Sequence, residues 1–415
     1  MNAVALSTSE ATGKRLRWGV VAMLMALCFI SHLNRISMSV AGNERIMKQY
    51  GIAPHEMGMV YSAFLLVYTV FMIPGGFFID RFGPRTALAV VGFGSAVFCM
   101  LTGAVGWMAA SVVWIALLLV RGTMGLITTP LHPAAATAVG LWVPDSKRNL
   151  VNGLITGAAL LGVACTYRFF ASLITRFDWP RAFLVTGAIT GIITVVWLAV
   201  APRREAASQA QTMTGWKVLL RNRNVWVLTL SYAAIGYFQY LFFYWMHYYF
   251  VDVLHLEKEA SGYYAALPPL TMAICMPIGG WLSDRLQPNR ALVPICGMVA
   301  GALLLGCGVF AKTPFWIVFW FSLALGAVGA AEAAFWSTIV EVGQPYGGAA
   351  AAIMNTGGNG GGMLAPYLTP LVSKAFGWPI GIALGGLVCL AGAMCWIGIS
   401  RREHEFQVSH GSNAG

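Results

Sequence analysis

Ile73-Pro74-Gly75-Gly76-Phe77-Phe78-Ile79-Asp80-Arg81 is echoed by Pro277-Ile278-Gly279-Gly280-Trp281-Leu282-Ser283-Asp284-Arg285, 204 residues further along the chain. A second echo pairs Phe177-Asp178-Trp179-Pro180 with Phe376-Gly377-Trp378-Pro379, at an offset of 199. Nearly equal offsets mean that the second half of the chain repeats the first in the same direction. Apolar runs flank both motifs, so the repeated object is a set of apolar helices. A parallel repeat of this kind predicts a substrate site between the two copies, near the middle of a bilayer.

Composition points the same way. Of 415 residues, 58% are hydrophobic and 10% charged, and the mean hydropathy is +0.71. A soluble domain carries about a quarter charged residues. A water-soluble enzyme, a disordered chain and a nucleic-acid binder are thereby excluded. At roughly 35 residues per span with its loop, the chain is predicted to cross a bilayer twelve times. The eight cysteines all lie in apolar runs and form neither a CxxC nor a metal spacing, so they read as small buried hydrophobes. The segment through Arg17 is polar and lacks the apolar core of a cleaved signal peptide.

Runs of spanning length begin near Trp18, Glu56, Thr86, Ser111, Val151 and Ala182, and resume near Val225, Ser261, Ala291, Thr313, Ala349 and Ile380. The predicted organisation is a cytoplasmic segment at 1–17, a six-helix bundle at 18–202, a cytoplasmic linker at 203–223, a second bundle at 224–400 and a cytoplasmic tail at 401–415. The fold class is an all-α membrane protein, with twelve transmembrane helices in two pseudo-symmetric six-helix bundles. The net charge of +11 sits mostly in short loops, where it reports topology. With the N-terminus inside, sixteen Lys and Arg fall on the cytoplasmic side and seven on the other. That asymmetry predicts both termini inside a bacterial-type cell (inner) membrane.

The pattern Gly76-x3-Asp80-Arg81-x-Gly83-x-Arg85 resembles the signature of the major facilitator superfamily. Its glycines allow close helix packing. Gly76, Asp80, Arg81 and Arg85, with Asp284 and Arg285 of the second copy, read as a charged conformational latch or as a plain topogenic turn. Within that superfamily the chain is similar to the anion–cation symporters, which include galactonate, glucarate and hexuronate carriers. The stretches that carry this are Asn34-Arg35-x4-Val40-Ala41, Tyr61-Ser62-Ala63-Phe64 through Tyr68-Thr69, Arg121-x3-Gly125 with Pro130 and Pro133, and Asn355–Pro366. The resemblance implies the major facilitator fold and transport of a small organic anion. It also implies proton-coupling carboxylates just before the first-span Arg and seven residues after the fourth-span Arg. This chain has Asn34 and Thr128 there.

Arg35 and Arg121 are the first candidates for substrate. An arginine within a span costs about 2.5–3.5 kcal/mol, so it should face a cavity or a partner. Its fork suits a carboxylate or phosphate; alternatively it braces neighbouring carbonyls. Ser31, Asn34, Arg35 and Met38 share one helical face, and Arg121, Gly125, Thr128 and His132 form one stripe. Arg168 reads as a snorkelling side chain or an anion lure. Tyr61 and Tyr68 share a face of the second span. Tyr240 and Tyr244 lie on a tyrosine stripe of the seventh, and Trp336 adds an aromatic group to the tenth. These aromatics serve either packing or substrate and gate. Asn355 and Asn359 are placed to meet substrate hydroxyls.

For proton coupling, Glu332 is the one acidic residue read as deep in a span with neither loop nor signature to explain it. At the 204-residue offset its counterpart is Thr128. It therefore reads as a displaced coupling carboxylate or as a structural Glu near the inner gate. His132 is a second titratable candidate. The glycine-rich run in the eleventh span lacks the Gly-Lys-Ser/Thr ending of a nucleotide loop. No cofactor or metal is called for, and transport energy must come from gradients or exchange.

The predicted function is secondary transport of a sugar acid or related carboxylate by alternating access, with protons as co-substrate and the lipid bilayer as surroundings. One copy of the chain is expected to suffice as a monomer. Two alternatives stand beside it. One is an anion exchanger or uniporter without proton coupling, for instance for sugar phosphates. The other is a membrane sensor that binds without transporting.

Overall fold

The computed structural model describes residues 2–144, 148–202, 214–286, 291–343 and 347–411. The linker stretch 203–213 lies outside the described residues, as do the side chains of 1–17, Asp80 and Asp284. The described residues form helices and no strand. They are α1 (Asn2–Ala41), α2 (Met47–Tyr50), α3 (Pro54–Val70), α4 (Met72–Ala104), α5 (Ala110–Thr128), α6 (Leu131–Trp142) and α7 (Arg148–Val200). After these come α8 (Thr214–Arg221), α9 (Arg223–Tyr248), α10 (Lys258–Arg285), α11 (Leu292–Phe310), α12 (Pro314–Val342), α13 (Gly347–Phe376) and α14 (Trp378–Gly411).

Two of these helices are continuous in hydrogen bonding but turn a sharp corner. Gly83 (φ 73°, ψ 162°) breaks α4, and Asp178 (φ 64°, ψ 164°) breaks α7. That backbone region is open essentially to glycine alone. Asp178 is held there in part by its own Oδ1, which accepts the Trp179 backbone N–H at 2.8 Å. Gly377 (φ 88°) occupies the matching corner between α13 and α14. The repeated Phe-x-Trp-Pro motif thus encodes one corner twice. A positive-φ residue ends one helix, and proline in the first turn opens the next. With those corners taken as breaks, the described residues make twelve spans whose starts fall within a few residues of those predicted.

Apolar side chains cover much of the outer surface. Ile192, Leu230 and Leu387, each in mid-helix, are 64%, 66% and 65% exposed. Only a bilayer accepts so much apolar surface. Cys296 and Cys307 share this exposure and Cys165, Cys275 and Cys395 are half-buried, so the expectation that all eight cysteines are buried holds only for Cys28, Cys99 and Cys389. A small apolar thiol serves against lipid as well as inside a core.

The chain divides into two compact units. The first comprises residues 1–41 and 70–210, where α1 and α4 pack on α7. Its core includes Leu24, Leu27, Ala134, Ala138 and Trp197. The second comprises 42–69 and 211–415, where α9 packs on α13, and α10 and α11 on α12. The chain leaves the first unit at a π-helical turn, Gly42–Ile46, and returns near Phe71, where the helix is interrupted. In the second unit, glycine sets the α9–α13 distance. A Cβ on Gly236 would run into the Gly358 carbonyl, and one on Gly361 into the Ala233 carbonyl.

Candidate functional site

In the first unit, Asn34 and Arg35 on α1 and Arg121 on α5 are all buried. Arg121 forks onto the backbone of α1. Its Nη2 donates to the Arg35 carbonyl at 2.9 Å and to the Asn34 carbonyl at 3.3 Å, and Nη1 donates to the latter at 3.3 Å. A helical carbonyl keeps a second lone pair, so the guanidinium adds to the helix bonds without replacing them. This geometry braces α1 and fixes a permanent positive charge beside Arg35. The Asn34 amide donates to Thr190 Oγ1 at 2.7 Å, and its Oδ1 has no hydrogen-bond partner among the described residues. Thr128 turns back on its own helix, donating to the Met124 and Gly125 carbonyls at 2.9 and 3.1 Å. Arg168 stands apart, exposed, with Nη1 3.4 Å from Ser172 Oγ.

His132 owes its position to a break in the fourth span. Pro130 and Pro133 carry no N–H, so the ladder is interrupted there and α6 restarts at Leu131. The His132 ring meets His32 of α1 edge-on, with centroids 5.1 Å apart and Nε2 3.4 Å from Nε2. His32 Nδ1 lies 3.0 Å from the Cys28 carbonyl. Arg35 bears electrostatically on both rings. Sequence reasoning missed His32, because nothing in its own surroundings shows that a second imidazole lies a hundred residues on.

In the second unit, Glu332 is buried and satisfied. The Tyr232 hydroxyl donates to Oε1 and Gln239 Nε2 donates to Oε2 at 2.7 Å. Of these two donors only the tyrosine hydroxyl can also accept. A proton arriving on Oε1 can therefore be met by reversing the Tyr232 bond while the Gln239 bond stays.

Tyr61, Tyr244 and Tyr240 form a stack, with centroids 5.0 and 5.9 Å apart along it. Tyr68 stacks on Phe64 instead, at 6.1 Å. The Tyr61 hydroxyl donates to Asn43 Oδ1 at 3.3 Å, and Asn43 Nδ2 donates to the Tyr244 carbonyl. Asn359 Nδ2 donates to the Asn355 carbonyl at 2.9 Å. The two asparagines are thus neighbours on α13.

Glu332 is not alone as a buried acid. Glu44, in the π-helical turn, lies 2.9 Å through Oε1 from His247 Nε2, with both side chains buried. The sequence between Asn43 and Lys48 reads as a polar helix end. The signal for its burial was the lone His247 on an aromatic helix.

Among the described side chains of the predicted latch, Arg85 makes hydrogen bonds within the first unit. Its Nε and Nη2 donate to the Ala201 and Leu198 carbonyls at 3.1 and 2.7 Å, capping the end of α7. Arg81 lies over the Phe82 ring and Arg285 over the Trp281 ring, both arginines exposed. Gly76 has open space where a Cβ would stand.

Residues 24–344 match the model of the Major Facilitator Superfamily. Among its relatives, the chain is 26% identical over 405 residues to Probable anion transporter 4, chloroplastic, of Oryza sativa subsp. japonica, covering 92% of this chain and 68% of that one. It is 26% identical over 416 residues to the Probable L-galactonate transporter of Escherichia coli (strain K12), covering 94% and 90%. In structure it is similar to a bacterial homolog of the human lysosomal transporter Spinster, crystallised inward-facing and unoccupied. The TM-score is 0.77 at 15% identity, over 93% of this chain and 97% of the other.

Proposed function

The chain belongs to the Major Facilitator Superfamily, and on that footing we propose that it moves a small organic anion, a sugar acid or related carboxylate, across the cytoplasmic membrane by alternating access. It is a multi-pass membrane transporter and not an enzyme. The observation that supports the substrate reading is the burial of Arg35 and Arg121 in one unit, with Arg121 held on the main-chain carbonyl of Arg35. Permanent cations in an apolar interior favour an anion beside them. Relatives named as anion and galactonate transporters support the same class. Asn34 lines the same locus, and the Tyr61–Tyr244–Tyr240 stack with Tyr68, Trp336, Asn355 and Asn359 supplies groups for hydroxyls.

Glu332 is the coupling acid in this reading, with His132 as a second titratable group. Support comes from the reversible Tyr232 hydroxyl, which lets the carboxyl gain and lose a proton without leaving its site. The rival reading, exchange or facilitated movement without protons, is favoured by Asn34 and Thr128, neither of which can ionise. The two bundles at 18–202 and 224–400 and the latch at Asp80, Arg81, Arg85, Asp284 and Arg285 complete the proposal, with one copy of the chain as the working unit.

Uptake of D-galactonate, L-galactonate, D-glucarate and a hexuronate into proteoliposomes tests it. Gradient-driven accumulation is expected, lost in Glu332→Gln while counterflow exchange persists. Uptake of no organic anion sinks the substrate reading. Equal uptake with and without an inward proton gradient gives the exchanger or uniporter its place.

A further inference from the structure

We propose that His32 and His132 form a proton-binding pair that is loaded when an anion occupies the Arg35 locus. The inference rests on the reading above that an organic anion binds there. It adds a residue, His32, and a mechanism for the second proton site.

The hydrogen bonds fix the empty state of the pair. A carbonyl only accepts, so His32 Nδ1 facing the Cys28 carbonyl must carry its proton. In the neutral ring His32 Nε2 is then bare and must accept. The hydrogen of the Nε2–Nε2 contact therefore belongs to His132. That leaves His132 Nδ1 as the bare nitrogen of the pair. A proton added from water enters there and makes His132 an imidazolium, with both existing hydrogen bonds kept. Both residues are half-buried.

Burial of the rings first, and then the charge environment, decide when this happens. From its own helix, Arg35 bears on both rings. From α5, Arg121 is held on the Asn34 and Arg35 carbonyls. Among the described residues no carboxylate bears on either ring. With the locus empty, an added proton would stand beside like charge, and the pair stays neutral. A bound carboxylate offsets the Arg35 charge and supplies a counter-charge, so anion and proton enter together. The proton leaves the same nitrogen when the anion does.

The test is binding of D-galactonate, L-galactonate and D-glucarate to the full-length detergent-solubilised protein, by calorimetry at one pH in phosphate and in Tris. The difference between the two buffers counts protons taken up per anion. At least one proton per anion is expected for wild type, one of them at this pair, with Kd weakening about tenfold per pH unit on the alkaline side for each proton. In His132→Gln the count falls by about one and the pH slope becomes shallower by the same step, measured on whatever anion binding remains. His32→Phe removes the acceptor of the contact and serves as the second variant should the first misfold. Anion binding by wild type without proton uptake overturns the inference alone, as does undiminished uptake in both variants. Binding of none of the anions overturns the substrate reading and the inference with it.

Discussion

Arg121 and Arg35 carry the same charge and are tied to each other through the α1 backbone, yet their contacts assign them different work. Arg121 places both terminal nitrogens on α1 carbonyls at 2.9 to 3.3 Å. Hydrogen bonds from charged groups contribute about 1.5–3 kcal/mol. Arg121→Gln should therefore cost roughly 2 kcal/mol of stability as well as anion uptake. Arg35→Gln should reduce uptake by more than tenfold, about 1.4 kcal/mol or more, with a smaller fall in thermal midpoint. Thermal unfolding in detergent beside proteoliposome uptake separates the two; equal losses of stability would show that both arginines brace. None of this division was legible in the sequence. Spacing placed Arg121 on a polar stripe, but every residue has a carbonyl, so no pattern announces which carbonyls a guanidinium will find. Glu332 was legible because an acid in an apolar run stands out. Glu44 was hidden because the polar residues around it read as a helix end.

The corners at Gly83, Asp178 and Gly377 show what the repeat preserves. Nothing would touch a Cβ on Gly83 within 4 Å, so its role is conformational and not steric. Gly83→Ala should cost about 1–3 kcal/mol for holding a side chain in a glycine-only region. Asp178 meets the same demand and gains a hydrogen bond from the Trp179 N–H. Losing such a capping oxygen costs about 1 kcal/mol, while glycine removes the strain. The expected order of thermal midpoints is Asp178→Gly equal to or above wild type, with Asp178→Ala lowest. A midpoint for Asp178→Ala at or above wild type would refute the strained corner. Span starts were readable to within a few residues because apolar length is a strong signal. The corner at 178 was not, since an aspartate stands where the second copy has glycine. The glycines between 357 and 362 were readable as small but left open whether α13 bends or is approached. The carbonyls facing Gly236 and Gly361 answer for close approach. Gly236→Ala should accordingly destabilise by about 1–3 kcal/mol through overpacking, read as a lower midpoint.

Across the twelve spans, the distribution of basic residues predicts the orientation in the membrane. On that reading sixteen Lys and Arg fall on the side of the N-terminus and seven opposite. Short loops rich in Lys and Arg stay in the cytoplasm because carrying those charges across the membrane is opposed. The argument holds for the repeat as well as for the whole, since Arg81 and Arg285 mark the same side in the two halves. An even number of spans then returns the C-terminus to the side of the N-terminus. We predict that a fluorescent protein fused after Arg402 folds and glows in a bacterial host. An alkaline phosphatase fused at Lys312, between α11 and α12, should be active, because the predicted orientation puts that loop outside. A dark C-terminal fusion with an inactive phosphatase at Lys312 would invert the orientation.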